Sequence, residues 1–143
     1  MPVSGSQSVY YPALAMSAQG DILAAWMSYD AGNIGRITAR QMSPAGAWAA
    51  PQRLSQAAEN ADWPTAAFAP EGGLALVGWT DDNSNLARAA VWSAGSWKRR
   101  TLDRGWWGSV VPVAAGGGAA VAGWAQPQSG NVNSATLLSS TWE

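Results

Sequence analysis

Ten tryptophans stand in this chain against one phenylalanine and three tyrosines. A core is filled as well by Phe or Leu, and each buried indole adds an N–H that needs an acceptor. Such an excess points outward, to flat aromatic faces offered to a ligand. Trp63, Trp106 and Trp107 fall between apolar runs, whereas Trp26, Trp79 and Trp124 close apolar runs just before polar loops. Those loops supply Asn33, Asn85, Asn131 and Asp81. Rings beside amides and carboxylates suit saccharides, whose C–H faces pack on aromatic planes while their hydroxyls hydrogen-bond to Asp, Asn and Gln.

Other chemistry is narrowly limited. The chain has no histidine and no cysteine. The commonest general base and metal ligand is therefore missing, as are thiolate nucleophiles and Cys-based zinc sites. Glutamate occurs only as Glu59, Glu71 and Glu143, and Asp81-Asp82 is the one adjacent acidic pair. A glycosidase sets two carboxyl groups roughly 5–9.5 Å apart across a reacting centre, and neighbours on one loop seldom face a common point. Neither catalysis, a metal nor a cofactor is expected. A net charge of -1 lacks the basic surplus of a nucleic-acid binder. No apolar run of about 20 residues is present to span a membrane as a helix. Met1 to Ser8 has no basic end and no apolar stretch, so a signal peptide is not expected and a cytoplasmic location is the default.

The elements that must position these residues are written three times. Pro12 to Trp26, Pro64 to Trp79 and Pro112 to Trp124 each read as proline, a small apolar run, a Gly-centred turn, a second apolar run and tryptophan. Each is a β-hairpin. Two further strands follow each of the first two hairpins, in the first repeat Ile34–Met42 and Trp48–Leu54, and in the second Leu86–Trp92 and Trp97–Leu102. The third repeat has Val111–Ala114, Ala119–Trp124 and Val132–Leu138, and then reaches Trp142-Glu143 without a full fourth strand. The tryptophans recur 53 and 45 residues apart (Trp26, Trp79, Trp124) and 49 and 45 apart (Trp48, Trp97, Trp142). No window keeps helical periodicity. An all-β fold of four antiparallel strands per roughly 47 residues fits a β-propeller blade.

The expected organisation is residues 1–11 as an N-terminal strand, 12–61 as blade one, 62–110 as blade two and 111–143 as blade three without its outer strand. Joining Trp142-Glu143 to Met1 gives a segment that opens on tryptophan and ends on Tyr11-Pro12, as Trp48 onward ends on Trp63-Pro64. The N-terminus thus reads as the missing outer strand. Propellers typically have about 4–8 blades, so three cannot close. A homodimer forming a six-bladed ring, each N-terminus completing the other chain's last blade, is expected; a piece of a longer propeller is the other possibility.

The turns Ser43-Pro-Ala-Gly-Ala-Trp48, Ser93-Ala-Gly-Ser-Trp97 and Ser139-Ser-Thr-Trp142 resemble the Asp-box hairpin of sialidase-like propellers, shortened and without its aspartate. The whole repeat over 12–142 is similar to bacterial propeller repeats of that superfamily. The resemblance implies the fold. Sialidase activity does not carry over, because Arg36, Arg40, Arg88, Arg99 and Arg100 fall on third and fourth strands and no Tyr–Glu nucleophile motif is present. Small oligomeric propellers occur among lectins, an analogy of architecture only.

In such a blade the loops between strands two and three share a rim with the links between blades. That rim gathers Tyr29, Asp30, Asn33, Asp81, Asp82, Asn83, Asn85, Gln126, Gln128 and Asn131 with Tyr10, Tyr11, Trp63, Trp106 and Trp107. Each group also has a structural reading. Trp48, Trp97 and Trp142 mark a recurring turn and read as packing residues. Trp26, Trp79 and Trp124 can pack between sheets, and the three asparagines can supply turns of positive φ. Lys98-Arg99-Arg100 reads as an edge guard. The expectation is a non-catalytic carbohydrate-binding propeller with sites repeated between blades. The alternative is a structural or protein-interaction module whose aromatics bury against a partner.

Overall fold

The computed structural model describes residues 8–104, 111, 113–125, 132–138 and 141–142. Among them there is no helix. The strands form three separate four-stranded antiparallel meanders. The first holds β1 (Tyr10–Met16), β2 (Ile22–Tyr29), β3 (Gly35–Met42) and β4 (Gln52–Arg53). The second holds β5 (Ala61–Phe68), β6 (Ala75–Asp81), β7 (Leu86–Ser93) and β8 (Ser96–Arg104). The third holds β9 (Val113–Gly116), β10 (Ala119–Ala125), β11 (Val132–Leu138) and β12 (Thr141–Trp142). The spatial order follows the chain order in every sheet, as short hairpin connections require.

Two strands depart from expectation. Only Gln52 and Arg53 of the Trp48–Leu54 run join the ladder, while Trp48 makes an isolated bridge to Met42. Pro51 has no N–H to donate at that point, which confines it to irregular edge backbone. In the third sheet Trp142 and Thr141 pair with Leu137 and Leu138, so the start of a fourth strand is present. Residues 1–7 lie outside the described residues. Tyr10 and Tyr11, placed by sequence at the end of an N-terminal strand, instead open β1.

Both faces of the middle sheet are buried, which is why β6 reads as a nearly unbroken run of apolar residues. Toward the first sheet it turns Ala75, Val77, Trp79 and Ala90, packed on Leu23, Ala25, Met27, Ile37 and Ala39. Toward the third it turns Leu76, Ala87, Ala89 and Val91, packed on Ala120, Ala122 and Trp124. The alternation along each strand produces these two faces. Small residues let the sheets approach. A Cβ on Gly78 would lie 2.6 Å from the carbonyl oxygen of Val111 and 2.8 Å from a Val113 methyl, so no larger residue fits there.

Candidate functional site

β1 and β5 both begin with an irregularity. The register of β1 on β2 shifts between Tyr10 and Ala13, and that of β5 on β6 between Asp62 and Thr65. In each bulge an aromatic residue directly before a proline takes a left-handed backbone, Tyr11 at φ 48 and Trp63 at φ 53. Bulky side chains rarely adopt that region, at a cost of roughly 1–3 kcal/mol each. A bulge re-aims the side chain it carries. Here the two re-aimed rings meet: Tyr11 and Trp63 lie 4.2 Å apart between centroids, with planes tilted by 30°. Beside them Tyr10 sits edge-on to Tyr29 of the β2–β3 hairpin at 5.3 Å. Tyr10, Tyr11 and Tyr29 are each more than two-fifths exposed. Four rings from three strands thus form one accessible aromatic patch across the junction of the first two sheets.

A carboxylate adjoins the patch. Asp62 accepts the Trp63 backbone N–H at 2.8 Å. Partial burial raises its pKa above the ordinary value, and that N–H opposes the rise only in part. Thr80 Oγ donates to the carbonyl of Asp62, which ties the bulge to β6.

Beneath the same rim lies a polar seam. The link from β4 to β5 crosses between sheets, and Arg36 grips it through hydrogen bonds to the carbonyls of Gln56 (2.9 Å) and Glu59 (2.6 Å). Asp30 anchors Arg36 in turn at 2.6 Å. That hydrogen bond and those from the Ile34 and Gly32 amides hold the Asp30 carboxyl below its usual range. The Glu59 side chain reaches the second sheet, accepting from Trp79 Nε1 at 3.4 Å and lying 3.7 Å from Arg88 Nε. Asn60 bridges the hairpins, accepting from Gly35 N–H and donating its backbone N–H to Asp81. Burial would raise the Asp81 pKa, but hydrogen bonds from Ser84, Arg88 and Asn60 outweigh it and leave the group below the usual value. An open pocket of about 110 Å³ lies beside this seam, lined by Gln56, Glu59, Trp79, Arg88, Arg99, Arg100 and Thr101. Arg88 is already engaged there, with Thr101, Asp81 and Glu59.

The residues singled out by sequence divide accordingly. Trp63 lies on the patch, although inside β5 at its bulge rather than in a loop. Asn33 and Asn85 close the two hairpin loops at φ 57 and φ 54 with exposed side chains, the turn conformation that Asn tolerates. Asp81 is 2% exposed and committed to the seam. Trp26, Trp79 and Trp124 are buried in the sheets, at 4%, 1% and 5%. Trp106, Trp107 and Asn131 lie outside the described residues. Tyr10, Tyr11 and Tyr29 were placed on the rim without being picked as site residues, and Asp62 was missed. The repeated aromatic–proline step, Tyr11-Pro12 and Trp63-Pro64, was the signal that pairs the two rings.

No family model matches the chain, and no curated protein matches it.

Proposed function

We propose that this chain is a non-catalytic, lectin-like carbohydrate-binding protein built on a β-propeller. The observation that carries the reading is the Tyr11–Trp63 pair, an exposed tyrosine on a half-buried tryptophan, both held by strained backbone in equivalent bulges of adjacent sheets. Packing alone does not need left-handed aromatics twice over, whereas a preset aromatic face gives a sugar ring its stacking surface without further ordering. Asp62 beside Trp63 and the exposed Asn33 on the Tyr29 hairpin supply acceptors and donors for hydroxyls. The propeller reading is supported by three meanders stacked in chain order, the middle one presenting β6 to both neighbours, and by the resemblance to sialidase-like repeats. Three blades per chain makes six in a homodimer, and repeated sites around such a ring add avidity.

Glu59 and Asp81, the two buried carboxylates of the rim, both serve Arg88 and the sheet junction, which favours binding over catalysis. A protein-interaction module is the second reading, in which the exposed Tyr10, Tyr11 and Tyr29 bury against a partner. A glycan array probed with the labelled intact protein separates the two. The expected result is binding to one sugar family that falls at least tenfold in Trp63→Ala, with the circular dichroism spectrum retained. A blank array turns the reading to the interaction module.

A further inference from the structure

The three repeats can be laid on one another through their strand registers, and the two ends of the chain then stand out. Position three before the repeated tryptophan is Leu23, Leu76 or Val121. Leu23 and Leu76 are fully buried, each against the sheet that follows its own. Val121, on the last sheet, is 37% exposed. The first strands show the converse. In the second sheet Ala66 and Phe68, paired with Val77 and Ala75, pack on the sheet before. In the third, Val113 and Ala115 pair with Ala122 and Ala120 and pack likewise. The corresponding residues of the first sheet are Leu14 and Met16, paired with Ala24 and Ile22. They are 71% and 67% exposed, and both are larger than most of their counterparts.

Among the described residues one contact is therefore made twice, and each of its two halves is left over once. The leading half is Leu14 and Met16 on the first sheet; the trailing half is the Val121 side of the third. We infer that these two surfaces dock on each other between two copies of this chain, repeating the sheet-to-sheet contact already made within it. The partner is a second copy because the leftover halves are the two sides of an existing interface, related to it by the repeat. Such a contact is heterologous, so it must close into a ring or grow without limit. The three described sheets of two copies make six, within the range of about 4–8 blades that close. The net charge of -1 sets up little repulsion between copies. This inference rests on the propeller reading and assigns its closing surface.

The test is native mass spectrometry of the intact chain with single-face variants. The expected mass is twice the 14.8 kDa of one chain. Val121→Asp, and separately the double variant Leu14→Asp with Met16→Asp, should each fall to 14.8 kDa with an unchanged circular dichroism spectrum, because these side chains are exposed. Mixing the two variants should restore a pair, since one intact contact remains between them. A second readout uses the absence of native cysteine. Met16→Cys and Val121→Cys, mixed and oxidised, should cross-link to each other and not to themselves. An intact chain of 14.8 kDa overturns the ring and its surface together. A pair that survives both sets of charged substitutions, or Met16→Cys cross-linking to itself, overturns the surface while leaving the ring standing.

Discussion

Trp26 and Trp79 hold the same place in successive sheets, yet their indoles meet different fates. Both are buried, at 4% and 1% exposure. Trp79 Nε1 donates to Glu59, whereas Trp26 Nε1 and Trp124 Nε1 are buried with no hydrogen-bond partner among the described residues. Among the described residues, the repeat thus reproduces the burial of the tryptophan but not its polar partner. That partner comes from the link between sheets, and Glu59 occurs in only one link. The teaching is that shape in this molecule is set by the repeated hairpins, while polar satisfaction is set by the unrepeated connections.

The sharpest way to break this contrast is to remove the link's carboxylate. Glu59→Leu leaves Trp79 Nε1 and the Gln56 N–H without their acceptor and strips one counter-charge from Arg88. Breaking a buried ion pair from one side costs about 3–5 kcal/mol. Chemical denaturation should show a loss of that order for Glu59→Leu and a smaller one for Glu59→Gln, which keeps an acceptor oxygen. A loss under about 1 kcal/mol for Glu59→Leu would show that the seam is solvated and that the contrast with Trp26 is one of geometry only.

Next in size is the pair of substitutions that deletes each indole N–H. Trp79→Phe removes a donor from a buried carboxylate and should cost about 1–3 kcal/mol beyond the lost volume. Trp26→Phe removes a buried N–H that has no acceptor among the described residues, so its cost should not exceed that of the lost volume. The comparison is read as the difference between two denaturation midpoints at constant slope. Equal losses would mean that Trp26 finds an acceptor in solution.

Why one half of this was readable in the sequence and the other was not follows from distance along the chain. The hairpins announce themselves because proline, glycine turn and tryptophan recur within a dozen or so residues, and strand alternation is local. The seam is assembled from contacts that no local window contains: Arg36 to Glu59 spans 23 residues and Glu59 to Trp79 spans 20. Trp63 was legible as an aromatic outside the apolar runs. Its positive φ was not, because a bulge is a property of how β5 registers on β6 rather than of either strand. The same holds for Tyr11, whose positive φ belongs to the register of β1 on β2. The failure of Trp48–Leu54 to form a full strand is legible in Pro51, which has no N–H for the ladder.

A third prediction concerns acid. The folded-state pKa of Asp81 is depressed, so its contribution to stability is present above the ordinary carboxylate value and is lost as pH falls through the depressed one. Below about pH 4 the native chain should therefore lose stability more steeply than Asp81→Asn. The difference in slope is at most about 1.4 kcal/mol per pH unit, the ceiling for one proton. Asp62 runs the other way. Its raised pKa favours the folded state while it is protonated, and that advantage is lost as pH rises through the raised value. Denaturation of Asp81→Asn and Asp62→Asn from pH 3 to 7 checks both signs, and parallel curves for Asp81→Asn and the native chain would remove Asp81 from the seam's energetics.

The smallest effect on stability should be the most informative about function. Tyr11→Gly deletes the stacking on Trp63, worth about 0.5–1.5 kcal/mol. It also relieves a left-handed backbone that costs a bulky residue roughly 1–2 kcal/mol and glycine almost nothing. Glycine's larger unfolded-state entropy, about 0.4–1 kcal/mol, offsets part of that relief. These contributions nearly cancel, so the melting transition should move by less than about 1 kcal/mol. Sugar binding, where the array finds it, should fall at least tenfold, because the aromatic face is gone. If stability drops by several kcal/mol, the stacked pair is a structural clasp between the first two sheets. A platform built for a ligand instead shows the opposite division, with strain kept in the free protein and its benefit realised only when the site is filled.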